Sequence, residues 1–402
     1  MNIITICSDK LSLPQVKSGG NMSSVRIFSD MPLQYFGGGE KVIINLSNYV
    51  HSKGVDVEIF QENSSVETRM PLEEIEKVIA PKITIIKYIK YLPRFLYQGM
   101  PDVNQLRNGE LSIMFLYRIP PRRYLRKLRK LDVRVIFCIH GITTVIPYLS
   151  LKFFFFNLYT KFSLNYFSKF ISDRSKIIVQ VLTKTTEELL YLMGADKKHV
   201  FRIANGVEFN NFTVGKNNDR FVVIFMGRIV NTNKGIDRLT KVLSKLPAEI
   251  NVSIIGSGPD SWMLKSTQHP NVNLLGFIPE EKKSEKLREA NLLILPSNLE
   301  PFSLVILEGL ASGLPCVATP VEGPMEILGQ DISFGTLSSF NPDHFARDII
   351  SYFNEWKKDK ERYFQNKIER RETARKYYDL SIMMKKYYEM LVASSETLRN
   401  QL

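Results

Sequence analysis

Two glutamates eight residues apart carry the strongest chemical signal in the chain. They lie in SNLEPFSLVILEGLASGLPCVATPVEGPMEIL, residues 297–328. Glu300 falls in a loop after the apolar run Leu292–Pro296, and Glu308 falls inside the helix that follows. The pattern predicts a helix start near Phe302–Ser303 and an end at Gly313, with Pro315 preventing continuation. In parallel sheets, ligands gather at the carboxyl ends of the strands, where a helix N-terminus offers N–H groups and a positive dipole end to a phosphate. A carboxylate one to two turns into such a helix can accept both hydroxyls of a ribose. A loop carboxylate ahead of it can accept hydroxyls of a second sugar. One carboxylate for each sugar, with a diphosphate between them, describes a nucleotide-sugar site. The alternative is ordinary surface charge. For Glu308 that alternative is weak, because Val305, Ile306, Leu307, Leu310 and Ala311 surround it with apolar side chains, where a carboxylate without a ligand or partner is costly.

The elements that must position these groups follow from the pattern of the whole chain. Short β-branched runs alternate with helix-length stretches. In the first half the runs are Val25–Ser29, Val55–Phe60, Ile83–Tyr88, Leu111–Tyr117, Val133–Ile139, Ile177–Val181 and Val200–Ala204. In the second half they are Phe221–Met226, Val252–Gly256, Val272–Leu275, Leu292–Pro296 and Cys316–Thr319. Such alternation predicts α/β architecture with parallel sheets covered on both faces by helices. At 402 residues the chain has room for two such units. The polar stretch VEFNNFTVGKNNDR, residues 207–220, marks their boundary. The expected division is a flexible extension at 1–21, a first domain at 22–213, a second at 214–375 and a terminal helix at 376–402. Tyr377, Leu380, Met383, Met384, Tyr387, Tyr388 and Leu391 recur at helical spacing, so this last helix should pack against a large apolar surface.

Composition narrows the class. Apolar residues make up 44% of the chain and charged residues 24%, which suits a folded globular protein. Three scattered cysteines, Cys7, Cys138 and Cys316, make neither a disulfide framework nor a zinc site, and a reducing cytoplasmic setting is expected. No apolar run is long enough to span a bilayer. The net charge of +13 is unevenly spread. Residues 1–218 hold 30 basic and 18 acidic side chains, whereas residues 219–402 hold 24 and 23. The basic excess points to an anionic partner for the first half.

The motifs around Glu300 and Glu308 resemble the retaining glycosyltransferases of glycosyltransferase family 4, which have the GT-B fold. The likeness rests on the E-x7-E pattern followed by PCVAT and a Gly-Pro-x-Glu turn. It extends to FVVIFMGRIVNTNKGIDRL (221–239), VSIIGSGP (252–259), VNLLGFIPEEKKSEKLREANLLILPS (272–297), FRIANGVEFNNF (201–212), FGGGEKVIINLSNYVHSKGVDVEIF (36–60) and VIFCIHG (135–141). It implies two Rossmann-like domains facing a central cleft, with a C-terminal helix crossing back to the first. It also implies roles. Arg228 and Lys234 would hold the donor diphosphate and stabilise the leaving group. Glu308 would bind the ribose, and Glu300 the donor sugar, together with the helix start at Phe302, Ser303 and Leu304. Gly276, Phe277 and Ile278 would flank the base. Gly38 and Gly39 would let backbone approach the phosphates or the transferred sugar. His140 would sit beside that sugar and the attacking hydroxyl. No cofactor and no metal are implied, the nucleoside-diphosphate sugar being the substrate. The chain departs from the family pattern at Ser303, where glycine is usual, and at Val321-Glu322-Gly323-Pro324, where Glu322 adds a negative charge near the phosphate side.

Two further segments bear on the acceptor. RIPPRRYLRKLRKLDVR (118–134) has basic residues around an apolar stripe of Leu125, Leu128 and Leu131. YLSLKFFFFNLYTKFSLNYFSKFIS (148–172) mixes seven phenylalanines with Lys152, Lys161 and Lys169. Each reads as a helix docked on the sheet or as an interfacial surface for anionic lipid. With the charge asymmetry they favour a glycan acceptor linked to a lipid, met at the cytoplasmic face of a membrane. Rival classes lack their signatures. The chain has no Asp-x-Asp pair for a metal-dependent transferase, no GxGxxG and no Walker loop. A nucleic-acid-binding protein would suit the basic charge but lacks a recognisable module, so no nucleic-acid partner is expected. A non-catalytic scaffold on the same fold is the remaining alternative.

Overall fold

The computed structural model describes Met22, Leu33 and residues 24–29, 37–62, 72–80, 83–88, 106–107, 110–116, 119–140, 151–172, 176–215, 219–267 and 269–396. The expected extension at residues 1–21 and Cys7 lie outside them.

Thirteen strands form two parallel sheets among the described residues. The first sheet contains β1 (Ser24–Ser29), β2 (Asp56–Glu62), β3 (Thr84–Tyr88), β4 (Leu111–Leu116), β5 (Arg134–Ile139), β6 (Ile177–Val181) and β7 (Val200–Arg202). Its order is β3-β2-β1-β4-β5-β6-β7. The second contains β8 (Val222–Met226), β9 (Asn251–Ile255), β10 (Val272–Gly276), β11 (Leu292–Leu295), β12 (Cys316–Ala318) and β13 (Gly335–Leu337), in the order β10-β9-β8-β11-β12-β13. Every strand-like run read from the sequence forms a strand. β13 escaped that reading because Gly-Thr-Leu is too short and too polar to register as an apolar run. Strands such as LSIMFL of β4 are buried along their whole length, as expected when helices cover both faces of a parallel sheet.

Strand order fixes where a ligand can sit. In the first sheet the chain moves outward from β1 to β3 and returns to place β4 beside β1; in the second it places β11 beside β8. Crevices open at these reversals, beyond the carboxyl ends of the strands. Helix α1 (Gly38–Ser52) starts above the first crevice, after β1. Above the second lie the loop after β8, with α6 (Asn231–Lys234) and α7 (Ile236–Leu243), and the loop from β11 into α9 (Leu304–Ala311). The first domain's remaining helices are α2 (Leu72–Val78), α3 (Arg122–Leu128), α4 (Leu151–Ser172) and α5 (Lys184–Leu192). The second adds α8 (Glu280–Glu289), α10 (Glu322–Leu328) and α11 (Pro342–Lys358).

The terminal segment departs from the expectation of one helix. It breaks at Asp379 into α12 (Lys360–Tyr378) on the second domain and α13 (Leu380–Glu396) on the first. Met383, Met384, Tyr387, Met390 and Leu391 of α13 are buried with Val42, Ile43 and Leu46 of α1. The break occurs where the two chain crossings between domains meet. Val207 N donates to Tyr378 O at 3.0 Å, and Leu380 N donates to Val207 O at 2.9 Å. Val207, Phe209 and Phe212 lie in the boundary stretch, on the first-domain side of the division drawn from sequence, yet they are buried with Leu293, Ile306 and Tyr378 in the second domain's core. Their apolar side chains decide this, although polar neighbours make the stretch read as a linker.

Leu391 tests how much the first domain owes to the returning helix. It is fully buried, so Leu391→Ala should cost about 2–5 kcal/mol. Thermal unfolding should show a lowered transition assigned to the first domain, and an unchanged melting curve would contradict the packing.

Candidate active site

Two loops that cap the second sheet are sewn together before they meet any ligand. Asn298 N and Leu299 N both donate to Asn233 O, at 2.8 and 3.0 Å. Arg238, buried at the base of α7, donates to Pro296 O at 2.7 Å and to Asn298 Oδ1 at 2.9 Å. Gly235 has φ +61°, and a Cβ there would fall 2.2 Å from Pro296 O, so only glycine allows this approach. The result brings Lys234 and Glu300 together. The Lys234 ammonium donates to Glu300 Oε2, and the two side chains are only 16% and 12% exposed. Arg228 lies exposed on the same rim, after β8.

Helix α9 carries the second carboxylate. Its first turn is set by Ser303, which among the described residues is the one non-glycine in the left-handed region, at φ +89°. Such a conformation costs a side chain of order 1–3 kcal/mol. The Ser303 hydroxyl accepts from Ile306 N at 3.4 Å and caps the helix. Phe302 is buried, its ring against Tyr378 and its backbone against Gly323. The helix ends with Ser312 as C-cap and Gly313 beyond it at φ +78°, one residue earlier than the sequence suggested. Arg370 Nη1 on α12 donates to Gly313 O at 2.8 Å, and Arg371 Nη1 donates to Ala311 O, placing cations at the negative end of the helix.

Glu308 is buried at the middle of α9 and is held by lysines from both domains. Lys283 Nζ on α8 donates to both carboxylate oxygens, at 2.9 and 3.0 Å. Lys41 Nζ on α1 lies 3.9 Å from Glu308 Oε1 and donates to Glu280 Oε1 at 2.6 Å. Attraction to Glu308 and Glu280 raises the Lys283 ammonium above its usual range despite the opposing effect of burial. One turn earlier, Gly38 of α1 faces Leu304, whose Cδ1 would lie 3.1 Å from a Cβ at that glycine. Gly39 follows in the first turn of α1, and Gly37 N donates to Glu40 Oε2 at 2.8 Å. A cavity of about 480 Å³ runs between the domains beside Lys41, Asn45, Glu280, Ser284, Leu304 and Glu308. At the end of β10, Gly276 has φ +66°, Phe277 is 60% exposed and Ile278 is half-buried.

The remaining expected site residue is His140. It follows β5 in the first domain and is 7% exposed. Its Nε2 lies 3.2 Å from the Tyr387 hydroxyl of α13, and its ring packs edge-on against Phe115. Burial pushes the imidazole down to about 4, with Gln180 beside it acting the other way. His140 is therefore neutral at physiological pH. Opposite, the domains meet again. Thr183 and Thr186 hydroxyls of α5 donate to Glu322 Oε1, Lys184 N donates to Glu326 Oε2 at 2.8 Å, and Arg202 Nη1 donates to Glu326 Oε1 at 3.0 Å. The charge of Glu322, which the sequence placed near the phosphates, is thus directed at the other domain. Among the described residues no group of three or more His, Cys, Asp or Glu is placed to hold a metal ion.

Residues 36–211 match the model described as Glycosyltransferase Family 4, and residues 207–370 match that of Glycosyl transferases group 1. The chain belongs to the family 4, group 1 glycosyltransferases. An uncharacterized glycosyltransferase of Methanocaldococcus jannaschii is 27% identical over 201 residues, covering 44% of this chain and 51% of the relative. The phosphatidylinositol N-acetylglucosaminyltransferase GPI3 subunit of Saccharomyces cerevisiae is 28% identical over 123 residues, covering 29% of this chain and 27% of that protein. The chain thus spans about half the length, or less, of these curated relatives. The crystal structure of Anabaena HepE with UDP and glucose superposes with a TM-score of 0.65 at 15% identity, covering 92% of this chain and 99% of that one. That likeness shows the shared GT-B fold.

Within this glycosyltransferase, sequence reasoning missed Lys41, Lys283 and the Glu322 contacts. Lys283 sits in the charged run EEKKSEK, where nothing in the spacing separates it from its solvated neighbours. Its one signal is the i,i+3 relation to Glu280. Lys41 and Thr183 contact residues more than 130 positions away, which no local pattern reports.

The buried imidazole makes a pH prediction. With a folded value of about 4 against about 6.5 unfolded, the unfolded chain binds more protons between those values. The stability due to neutral His140 is therefore full above about pH 6.5 and is lost as pH falls toward 4, by up to about 3 kcal/mol. The melting-temperature difference between native protein and His140→Gln should shrink over that interval. A constant difference would refute the buried neutral state.

Proposed function

We propose that this protein is a retaining glycosyltransferase that moves a hexose-type sugar from a nucleoside-diphosphate sugar to a hydroxyl of a lipid-linked glycan. The observation that carries the reading is a pair of lysine-held carboxylates on consecutive elements above the β8–β11 reversal: Glu300, in the loop after β11, with Lys234, and Glu308, on α9, with Lys283, the first turn of α9 facing the start of α1. Lys234 and Arg228 would hold the diphosphate. Fixed cations there oppose the negative charge that develops as the nucleoside diphosphate departs, with no reorganisation at the moment of reaction, and so supply without a metal the stabilisation the leaving group needs. Glu300 would accept hydroxyls of the donor sugar, and its contact with Lys234 keeps its charge oriented toward the same point. Glu308 would accept the ribose hydroxyls. The exposed ring of Phe277 and the adjoining Ile278 would flank the base, while Gly38 and Gly39 let the α1 backbone approach the phosphates. His140, being neutral, would act as a hydrogen-bonding group beside the transferred sugar and the attacking hydroxyl, not as a cation. Attack from the face that the leaving group vacates would retain the anomeric configuration without a protein nucleophile. Closure of the two domains would exclude water.

The acceptor side of the proposal rests on the first domain's surface. Arg122, Arg123, Arg126, Lys127, Arg129 and Lys130 are exposed on and just after α3, whereas Tyr124, Leu125 and Leu128 are buried. Phe162 on the adjoining α4 is 59% exposed, and Arg122 Nη2 donates to its carbonyl at 3.4 Å. Basic side chains near an anionic membrane surface contribute about 1 kcal/mol each, and an aromatic ring adds apolar contact. The phosphatidylinositol in the yeast relative's name accords with a lipid-linked acceptor. Among the described residues no helix is long and apolar enough to cross a membrane, so the contact proposed is peripheral, at the cytoplasmic face. The side chains of residues 151–161, which hold four of the phenylalanines noted in the sequence, lie outside the described residues.

Two experiments test the halves of this reading. A thermal-shift panel with UDP, GDP, ADP, CDP and dTDP should give a selective rise for one nucleotide, worth about 2.7 kcal/mol at 100 times its dissociation constant. The shift should survive EDTA and should vanish in Glu308→Gln and Lys234→Met; a flat panel, or full activity in either variant, would refute the donor assignment. In vesicle flotation, the protein should bind anionic but not neutral vesicles, and Arg123→Glu with Arg126→Glu should abolish this. Equal binding to both vesicles would refute the basic face as the membrane contact.

A further inference from the structure

Glu308 and three charges around it form a closed ring drawn from both domains. Glu280 and Lys283 lie three residues apart on one face of α8, 3.3 Å between Oε1 and Nζ. Lys283 meets Glu308 at 2.9 Å, Glu308 faces Lys41 at 3.9 Å, and Lys41 returns to Glu280 at 2.6 Å. Cation and anion alternate at every step. Glu280 Oε1 and Glu308 Oε1 each serve both lysines, so no contact in the ring is independent of the others.

We propose that this ring couples occupation of Glu308 to the contact between the domains, with Lys283 as the positioning residue for Glu308 and Lys41 as the cross-domain reporter. The inference rests on the donor reading above, in which Glu308 receives the ribose. Three features carry it. First, Glu308 is 5% exposed, so its charge needs a fixed partner, and Lys283 supplies one that grips both oxygens and sets the plane of the carboxylate. Second, Lys283 comes from the helix that follows the exposed Phe277 and Ile278, so the element beside the base also orients the group beneath the ribose. Third, Lys41 is the ring member from the first domain, one turn beyond the Gly38–Leu304 contact. A relative movement of the domains changes its distances to Glu280 and Glu308. Ribose hydroxyls that donate to Glu308 change the charge that Lys41 experiences. By linkage, a domain arrangement that brings Lys41 closer must change nucleotide affinity by the same factor.

The Glu322 and Glu326 contacts on α5 tie the domains elsewhere without touching either carboxylate of the E-x7-E pair. They join the domains through groups to which the donor reading gives no ligand, whereas the ring includes the group that receives the ribose. This difference makes the ring, and not the second seam, the place where binding is felt.

Calorimetric titration of the full chain with UDP, GDP and ADP in parallel tests the proposal. Lys283→Met should weaken the bound nucleotide by about tenfold or more, and Lys283→Arg should restore most of that loss. In turnover, Lys283→Met should raise the donor KM while changing kcat by less than about threefold, the pattern of a lost binding contact. Lys41→Met should weaken the nucleotide by about three- to tenfold in the native background and by less than about twofold in Glu280→Gln, because the 2.6 Å contact that holds Lys41 beside Glu308 is already lost there. Lys245→Met, which removes an ion pair to Asp343 far from the ring, should bind as the native protein does. Additive effects of Lys41→Met and Glu280→Gln would overturn the coupling. Native affinity in Lys283→Met would overturn the positioning role, and the melting temperature of each variant separates these outcomes from loss of fold. If the native chain bound none of the three nucleotides, the donor reading would fall first and the ring's role with it.

Discussion

Two backbone hydrogen bonds, from Val207 to Tyr378 and from Leu380 to Val207, govern the geometry of everything above them. The chain passes between domains twice, and these bonds make the two passes adjacent. A single linker would leave each domain free to turn about it. Paired crossings flanked by buried Phe209, Phe212 and Tyr378 restrict that freedom to hinge-like motion. The same pairing stops α12 and starts α13, which then completes the first domain's core beside α1. Since α1 also bears Gly38 and Lys41, the helix that faces the second domain is anchored by the chain's own return.

Against that frame, the site is arranged around charges that are expensive to bury. Glu300 and Glu308 each sit in a place that would penalise a bare carboxylate by several kcal/mol, and each is matched by lysine at hydrogen-bonding range. Each lysine is held by a different element from its partner: Lys234 by α6 and Glu300 by the loop after β11, Lys283 by α8 and Glu308 by α9. Pairing charges across elements transmits position as well as charge, because neither group can shift alone. Arg370 and Arg371 do the same for the far end of α9, satisfying carbonyls that the helix leaves open. The strained Ser303 at its near end is tolerable because both ends of the helix are otherwise fixed.

The two halves of the molecule divide the chemistry by charge. The second half is nearly neutral and spends its ionic groups on internal pairs around the E-x7-E carboxylates. The first half carries the basic excess on an outer face, along α3, while the cleft side of its sheet presents the neutral His140 and the helix starts of α1 and α5. A cationic exterior and an internally compensated cleft do not compete, because exposed charges more than a Debye length of about 8–10 Å apart are largely screened from one another.

The amino-acid sequence by itself determined twelve of the thirteen described strands, the two sheets, the family and the elements that bear Lys234, Glu300 and Glu308. These are local properties: β-branched runs, turn residues, and a carboxylate set among apolar neighbours are legible within a dozen positions. It also showed that Glu308 was a costly carboxylate to leave idle, since the penalty for burying a charge depends on its surroundings. It did not show who the partner was. Lys283 reads as one charge among many on a polar helix, Lys41 as a surface lysine after a glycine run, and Glu322 as a charge aimed at phosphate. The break at Asp379 and the allegiance of Phe209 and Phe212 were likewise hidden in polar sequence. Only the tertiary structure decided these points, because Coulomb attraction and backbone pairing act on distance in space, and the chain brings together residues that its own order keeps from 25 to 239 positions apart.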